Sequence, residues 1–289
     1  VKTENAIWFY LVVVFLSSFL WQLVIYYTGG IDSYLLPALM LFPGIVAVAF
    51  RIITKEGIRK VGWGLRRWWT IIPALILPLL FILVVGWLLT VLNWATVSDR
   101  HFLFKDGMVE IQLYPLVLGS QTQSIAFFAL NLVLSLFVQS LLGSVVTIGE
   151  EFGWRGYAQE KLIRKFGLNR GLILLGAIWG YWHLPISLMG WNFPNHPVLG
   201  ALILTPISTI FLGIYMGWLY LRSKSVWMPT LAHAAWNLCA TLLLNEMIMQ
   251  RDNLYLQLTL IAAWGMVGVF CLISLNTRKP VLWQNVVAA

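Results

Sequence analysis

The sequence predicts an all-α fold: a polytopic transmembrane helix bundle of about eight spans. Three observations predict it. Of 289 residues, 60% are hydrophobic and only 10% are charged, whereas soluble domains carry about a quarter charged residues. Apolar runs of about 20 residues, the length a helix needs to cross a bilayer, recur along the chain. The Lys and Arg residues between those runs collect on one side of the proposed membrane.

The expected spans are Ala6 to Tyr27, Ser33 to Ile53, Trp69 to Leu92, Ser124 to about Thr147, Asn169 to Met189, Leu199 to Leu221, Val226 to Asn245 and Leu254 to Leu275. Several contain proline (Pro37, Pro43, Pro73, Pro78, Pro206), which membrane helices tolerate because neighbouring groups satisfy the freed carbonyls. The first run has no clear small-residue cleavage site and is followed by further spans, so it reads as a span and not a leader. No polar linker, low-complexity run or internal repeat divides residues 1–289, which read as a single membrane domain.

Charge fixes an orientation. With the N-terminus in the cytoplasm, that side holds Lys2, then Arg51, Lys55, Arg59, Lys60, Arg66 and Arg67, then Arg155, Lys161, Arg164, Lys165 and Arg170, then Arg222 and Lys224, and finally Arg278 and Lys279. The opposite side has Arg100, Lys105 and Arg251. Sixteen against three is the asymmetry that the positive-inside rule requires, and it places both termini in the cytoplasm. The net charge of +8 is thereby explained by topology and anionic lipid headgroups, with no nucleic-acid partner. The two cysteines, Cys239 and Cys271, lie in apolar runs. They exclude a disulfide scaffold and a Cys-based zinc site and read as reduced packing residues.

Against this background the stretch TIGEEFGWRG, Thr147 to Gly156, stands out, because ionisable residues in membrane segments are costly and mark function. Glu151 and Arg155 are four apart and share a helix face, so they can pair, whereas Glu150 points away from that pair. The bland alternative is a solvated helix end at the cytoplasmic surface. For helix four to carry the motif towards Lys161 it must tilt, bend or break near Gly143 or Gly149. His183 follows in AIWGYWHLP, and His233 with Asn237 in LAHAAWN. His233 and Asn237 are also four apart and can offer N–H donors to one oxygen, as an oxyanion cradle does. A plain interhelical hydrogen bond is the competing reading. Trp179, four before His183, reads as packing.

Together EEFGWR, WGYWH and HAAWN, in this order on successive apolar helices, resemble the CPBP family of intramembrane proteases, the CAAX-protease and bacteriocin-processing (Abi) group. Its motifs are Glu-Glu-x-x-x-Arg, an aromatic four before a His, and His-x-x-x-Asn. The likeness, which extends to type II CAAX prenyl endopeptidases, covers roughly Ser124 to Asn245 (124–245), which would be the catalytic core. Trp179 stands where Phe is more usual. The resemblance implies that Glu150 and His183 activate a water, that His233 and Asn237 hold the oxyanion, and that Glu151 and Arg155 support the site. It implies a peptide or a prenylated or otherwise lipidated protein as substrate, cleaved at or within the membrane. Family members have often been described as metalloproteases. Here there is no H-E-x-x-H helix and no Cys ligand. Two His and one Glu could bind zinc, but that use would remove the general base and leave Asn237 idle. The expectation is therefore a glutamate-dependent hydrolysis with no cofactor, zinc being the alternative. Two other classes fit the polar set: a proton- or ion-coupled transporter, and a catalytically silent membrane scaffold.

Overall fold

A computed structural model describes residues 6–65, 67–111 and 119–277. Among these, six helical runs are long and apolar enough to cross a membrane: Ala6–Tyr27, Leu36–Ile53, Trp68–Val91, Ile125–Phe166, Pro197–Ser223 and Asn253–Asn276. The chain is a multi-pass integral membrane protein built as an all-α bundle. Lys2, Arg66, Arg278 and Lys279, which entered the charge count, lie outside the described residues.

In chain order the helices are α1 (Ala6–Tyr27), α2 (Phe42–Ile53), α3 (Ile71–Val91), α4 (Ile125–Gly153), α5 (Gln159–Phe166), α6 (Leu168–Trp182), α7 (Leu184–Leu188), α8 (Pro197–Leu199), α9 (Thr205–Ser223), α10 (Trp227–Glu246) and α11 (Asn253–Asn276). A 3₁₀ segment, Leu36–Leu41, leads into α2. The core is made where α6 lies along α9 and α10 lies along α4 and α3, with α11 on the far side of α9 and α2 against α4. Two of the eight expected spans are absent from the six apolar runs. The Asn169-to-Met189 run is divided between α6 and α7, and α6 has 15 residues, about 22 Å at 1.5 Å per residue. α10 has 20 residues, but Thr230, His233, Asn237 and Thr241 make it polar. These are the elements that bring His183, His233 and Asn237 into the bundle, and in α10 the low apolarity is the cost of carrying a polar site.

Of the three expected ways for helix four to carry the motif, a break at Gly143 or Gly149 is not the one used. α4 continues to Gly153, a π-helical turn spans Trp154–Ala158, and α5 follows without a gap. The 42-residue run would measure about 63 Å, about twice the ~30 Å hydrocarbon layer. It therefore extends past that layer, while the Glu-Glu motif itself stays buried in the bundle. The irregularity falls at the π turn, beside the motif, as such turns often do. Gly149 serves close packing instead: a Cβ there would lie 2.5 Å from Met40 O and 2.6 Å from Leu41 Cα. That crossing sets the Leu36–Leu41 segment directly against the motif.

The segment between α3 and α4 folds into small β elements outside the apolar spans. β2 (Phe102–Lys105), β3 (Met108–Ile111) and β4 (Thr122–Ser124) form an antiparallel sheet in that order, while β1 (Ala95–Val97) pairs with β5 (Met247–Met249). The β2–β3 turn is Asp106-Gly107, both at positive φ (50° and 75°), which suits the two-residue hairpin turn that an Asp-Gly pair favours. Cys239 and Cys271 are free and buried.

Candidate active site

Burial of the motif removes the solvated-terminus reading. Glu150 is 2% exposed, Glu151 0% and Arg155 1%. Arg155 Nη1 donates to Glu151 Oε1 at 2.9 Å, the pairing that the spacing requires. The same oxygen accepts from His233 Nδ1 at 2.8 Å. Glu151 thus ties α4 to α10 and fixes the His233 ring, a contact across 82 positions that sequence spacing could not reveal. Thr147 reinforces the crossing by donating to Thr230 O at 3.1 Å.

Glu150 faces elsewhere. Its Oε2 accepts from the Trp179 indole Nε1–H at 2.6 Å. Trp179 is therefore more than packing. Its ring also lies under the Arg155 guanidinium, 4.6 Å from the centroid, and meets His233 edge to face at 5.5 Å. The one available signal was an indole donor one helical turn before His183.

His183 sits at the junction of α6 and α7. Gln22 of α1 braces this corner: its Nε2 donates to Trp182 O at 3.1 Å and its Oε1 accepts from Ile186 N at 3.1 Å. Gln22 is fully buried and was not singled out in the sequence, because its partners are 160 and 164 positions away. The His183 ring stacks on Trp191 at 5.2 Å and 13°.

Partner chemistry assigns the ring protons. His183 Nδ1 is 2.9 Å from Trp179 O, and a carbonyl only accepts, so Nδ1 carries the hydrogen and, in the neutral ring, Nε2 keeps a lone pair. His233 Nδ1 faces a carboxylate oxygen and likewise donates. A neutral His233 would then have a lone pair at Nε2. Only the doubly protonated ring has a second N–H to give.

A cavity of about 340 Å³ collects these groups: Glu150, His183, His233 and Asn237 all line it. Trp179 and Met40 line it too. Asn237 is exposed within this space, and its Nδ2 has only a weak contact, 4.0 Å, to Met40 Sδ. His233 and Asn237 thus share one cavity without bonding to each other. As for a metal, the described residues contain no group of three or more His, Cys, Asp or Glu side chains placed to hold one.

The Glu151–Arg155 pair is fully enclosed, and removing one partner of a buried pair typically costs ~3–5 kcal/mol because the other charge is left uncompensated. Arg155→Ala is therefore expected to lower the melting temperature in detergent as well as the activity. A variant as thermostable as wild type yet inactive would reassign Arg155 to substrate binding.

The fold and site define a class: a multi-pass membrane protein with a cavity lined by Glu150, His183, His233 and Asn237 between α4, α6 and α10. Comparison with known proteins narrows it. Residues 129–239 match the family model "Type II CAAX prenyl endopeptidase Rce1-like". The chain is also similar to "CAAX prenyl protease 2" of Methanococcus maripaludis, 31% identical over 99 residues, which are 32% of this chain. The aligned region spans 36% of that relative's length, about a third. Both findings support the CPBP/CAAX-protease likeness carried by the three motifs.

Proposed function

We propose that this chain is a membrane-embedded endopeptidase that hydrolyses a peptide bond of a membrane-associated or lipidated substrate, with its core in residues 124–245 and both termini in the cytoplasm. The observation that carries the reading is the convergence of Glu150, His183, His233 and Asn237 on one cavity inside the bundle. Glu150 takes a proton from a water that also donates to the His183 Nε2 lone pair. The resulting hydroxide attacks the scissile carbonyl. The oxyanion accepts from Asn237 Nδ2–H and from the Nε2–H of a doubly protonated His233, whose charge Glu151 offsets. Glu150 then returns its proton to the leaving amine. Glu151 and Arg155 support the site through the His233 ring. The lipid matrix is the second partner, and the similarity to a CAAX prenyl protease makes a prenylated C-terminal peptide the first substrate to try.

The test is mass spectrometry of products from a prenylated and an unprenylated peptide incubated with the purified protein. Cleavage of either supports an endopeptidase, and the pair shows whether the lipid is required. Intact peptides together with proton- or ion-driven flux in proteoliposomes would favour a transporter. Intact peptides without flux would favour a scaffold. The same assay checks the metal question. Activity is expected to survive exhaustive treatment with EDTA or phenanthroline, and elemental analysis is expected to find no stoichiometric zinc. Loss on chelation with recovery at one equivalent of zinc would overturn the metal-free mechanism.

A further inference from the structure

We propose that Trp179 is a positioning residue for Glu150, its indole N–H holding one carboxylate oxygen so that the other is presented to the cavity. The inference rests on the endopeptidase reading. Glu150 Oε2 is held at 2.6 Å by Trp179 Nε1, and both residues are 2% exposed. No other hydrogen-bond donor reaches this carboxylate among the described residues. A bond of this kind, buried and to an ionised acceptor, is among the stronger ones.

The indole is itself immobilised. Its α6 backbone is tied to α9 where Thr209 Oγ1 donates to Gly176 O at 3.0 Å. Trp179 O takes the His183 Nδ1–H, the Arg155 guanidinium covers one part of the ring, and His233 abuts it edge to face. One residue therefore touches Glu150, Arg155, His183 and His233, while Glu151 is left to Arg155 and His233. The N–H edge goes to Glu150, the ring to Arg155 and the carbonyl to His183. This arrangement keeps two carboxylates, adjacent in sequence, on separate partners. Arg155 has Nε and Nη2 without a hydrogen-bond partner among the described residues. A Glu150 released from the indole could turn to that cation and be lost to the cavity. Phenylalanine, the more usual residue here in the resembled family, would supply the ring without the donor, so the role of the indole nitrogen is particular to this chain.

The experiment has two arms. In the first, turnover of an internally quenched farnesylated peptide is measured for wild type, Trp179→Phe and a protein carrying 3-benzothienylalanine at 179, an isostere with sulfur in place of N–H. A lost hydrogen bond to a charged group corresponds to a roughly 10- to 100-fold loss. We expect that loss in kcat, with KM within about threefold, and a melting temperature close to wild type for the isostere. Unchanged kcat in either folded variant overturns the proposal. If Trp179→Phe fails to fold, the isostere, which keeps volume and stacking, decides alone. A loss confined to stability, or a rise in KM alone, also overturns it. In the second arm, the ¹⁵N-indole proton resonance of Trp179, assigned by its disappearance in the variant, is followed in Glu150→Leu. Displacement of that resonance supports the contact, and an unmoved one overturns it whatever the activity. Wild-type protein that leaves the peptide intact defeats the functional reading and with it the positioning role. Active wild type with equally active variants defeats this proposal only.

Discussion

Glu150→Gln is expected to reduce kcat by at least about 10³ while leaving the melting temperature and substrate affinity near wild type. General acid–base catalysis by a positioned group contributes about 10²–10⁴, and on the proposed mechanism Glu150 handles the proton twice, once from water and once to the leaving amine. The structure explains why folding should survive. Glutamine keeps an acceptor oxygen that can face the Trp179 indole, where Oε2 now accepts, and its NH₂ group can face the cavity that Glu150 lines. Shape and the buried hydrogen bond persist, and the base is gone. The check is kcat, KM and melting temperature measured on the same preparation with the farnesylated peptide. A rate within tenfold of wild type in the folded variant would remove Glu150 from the chemistry, and the transporter reading would then regain force.

How far the sequence disclosed this site depends on the range of each interaction. Glu151–Arg155 was legible because it is a contact within one helix, fixed by the 3.6-residue repeat and met at 2.9 Å. The separation of Glu150 from that pair followed from the same geometry. Everything that joins α4 to other helices was hidden. His233 against Glu151 and Trp179 against Glu150 are contacts between helices far apart in sequence, and periodicity carries no information on which face meets which neighbour. Gln22 was hidden for the same reason, since its bracing partners lie at the His183 corner, far away in sequence. Which irregularity helix four uses was hidden for a different cause. Gly143 and Gly149 look like weak points in isolation, yet Gly149 is needed for close approach to Met40 and Leu41. The helix absorbs its irregularity in the π turn at Trp154–Ala158 instead. The Asp106-Gly107 hairpin was legible in principle but short enough to be overlooked within a chain dominated by apolar runs.

His233→Ala and Asn237→Ala are each expected to lower kcat by about 10²–10³, the usual cost of removing one oxyanion donor, with little change in KM because the donors act on charge that develops in the transition state. The two should not behave alike in stability. His233 is 4% exposed and bonded to Glu151, so its loss strips a donor from a buried carboxylate and should lower the melting temperature. Asn237 is exposed in the cavity and has only the long contact to Met40 Sδ, so Asn237→Ala should melt close to wild type. That asymmetry gives the oxyanion assignment a clean test, since an interhelical hydrogen bond at Asn237 would predict the reverse: lost stability with activity kept in the folded fraction. The double variant should lose less than the product of the single losses, because residues acting as a unit on one oxygen are not additive. Proton bookkeeping at His233 supplies a further check. Its Nδ1–H is committed to Glu151, so donation to an oxyanion requires the second N–H of the charged ring. Glu151→Gln, which removes the countercharge but keeps an acceptor for Nδ1–H, should therefore reproduce much of the kcat loss of His233→Ala. Full per-molecule activity in folded Asn237→Ala would sink the oxyanion cradle and return His233 and Asn237 to packing.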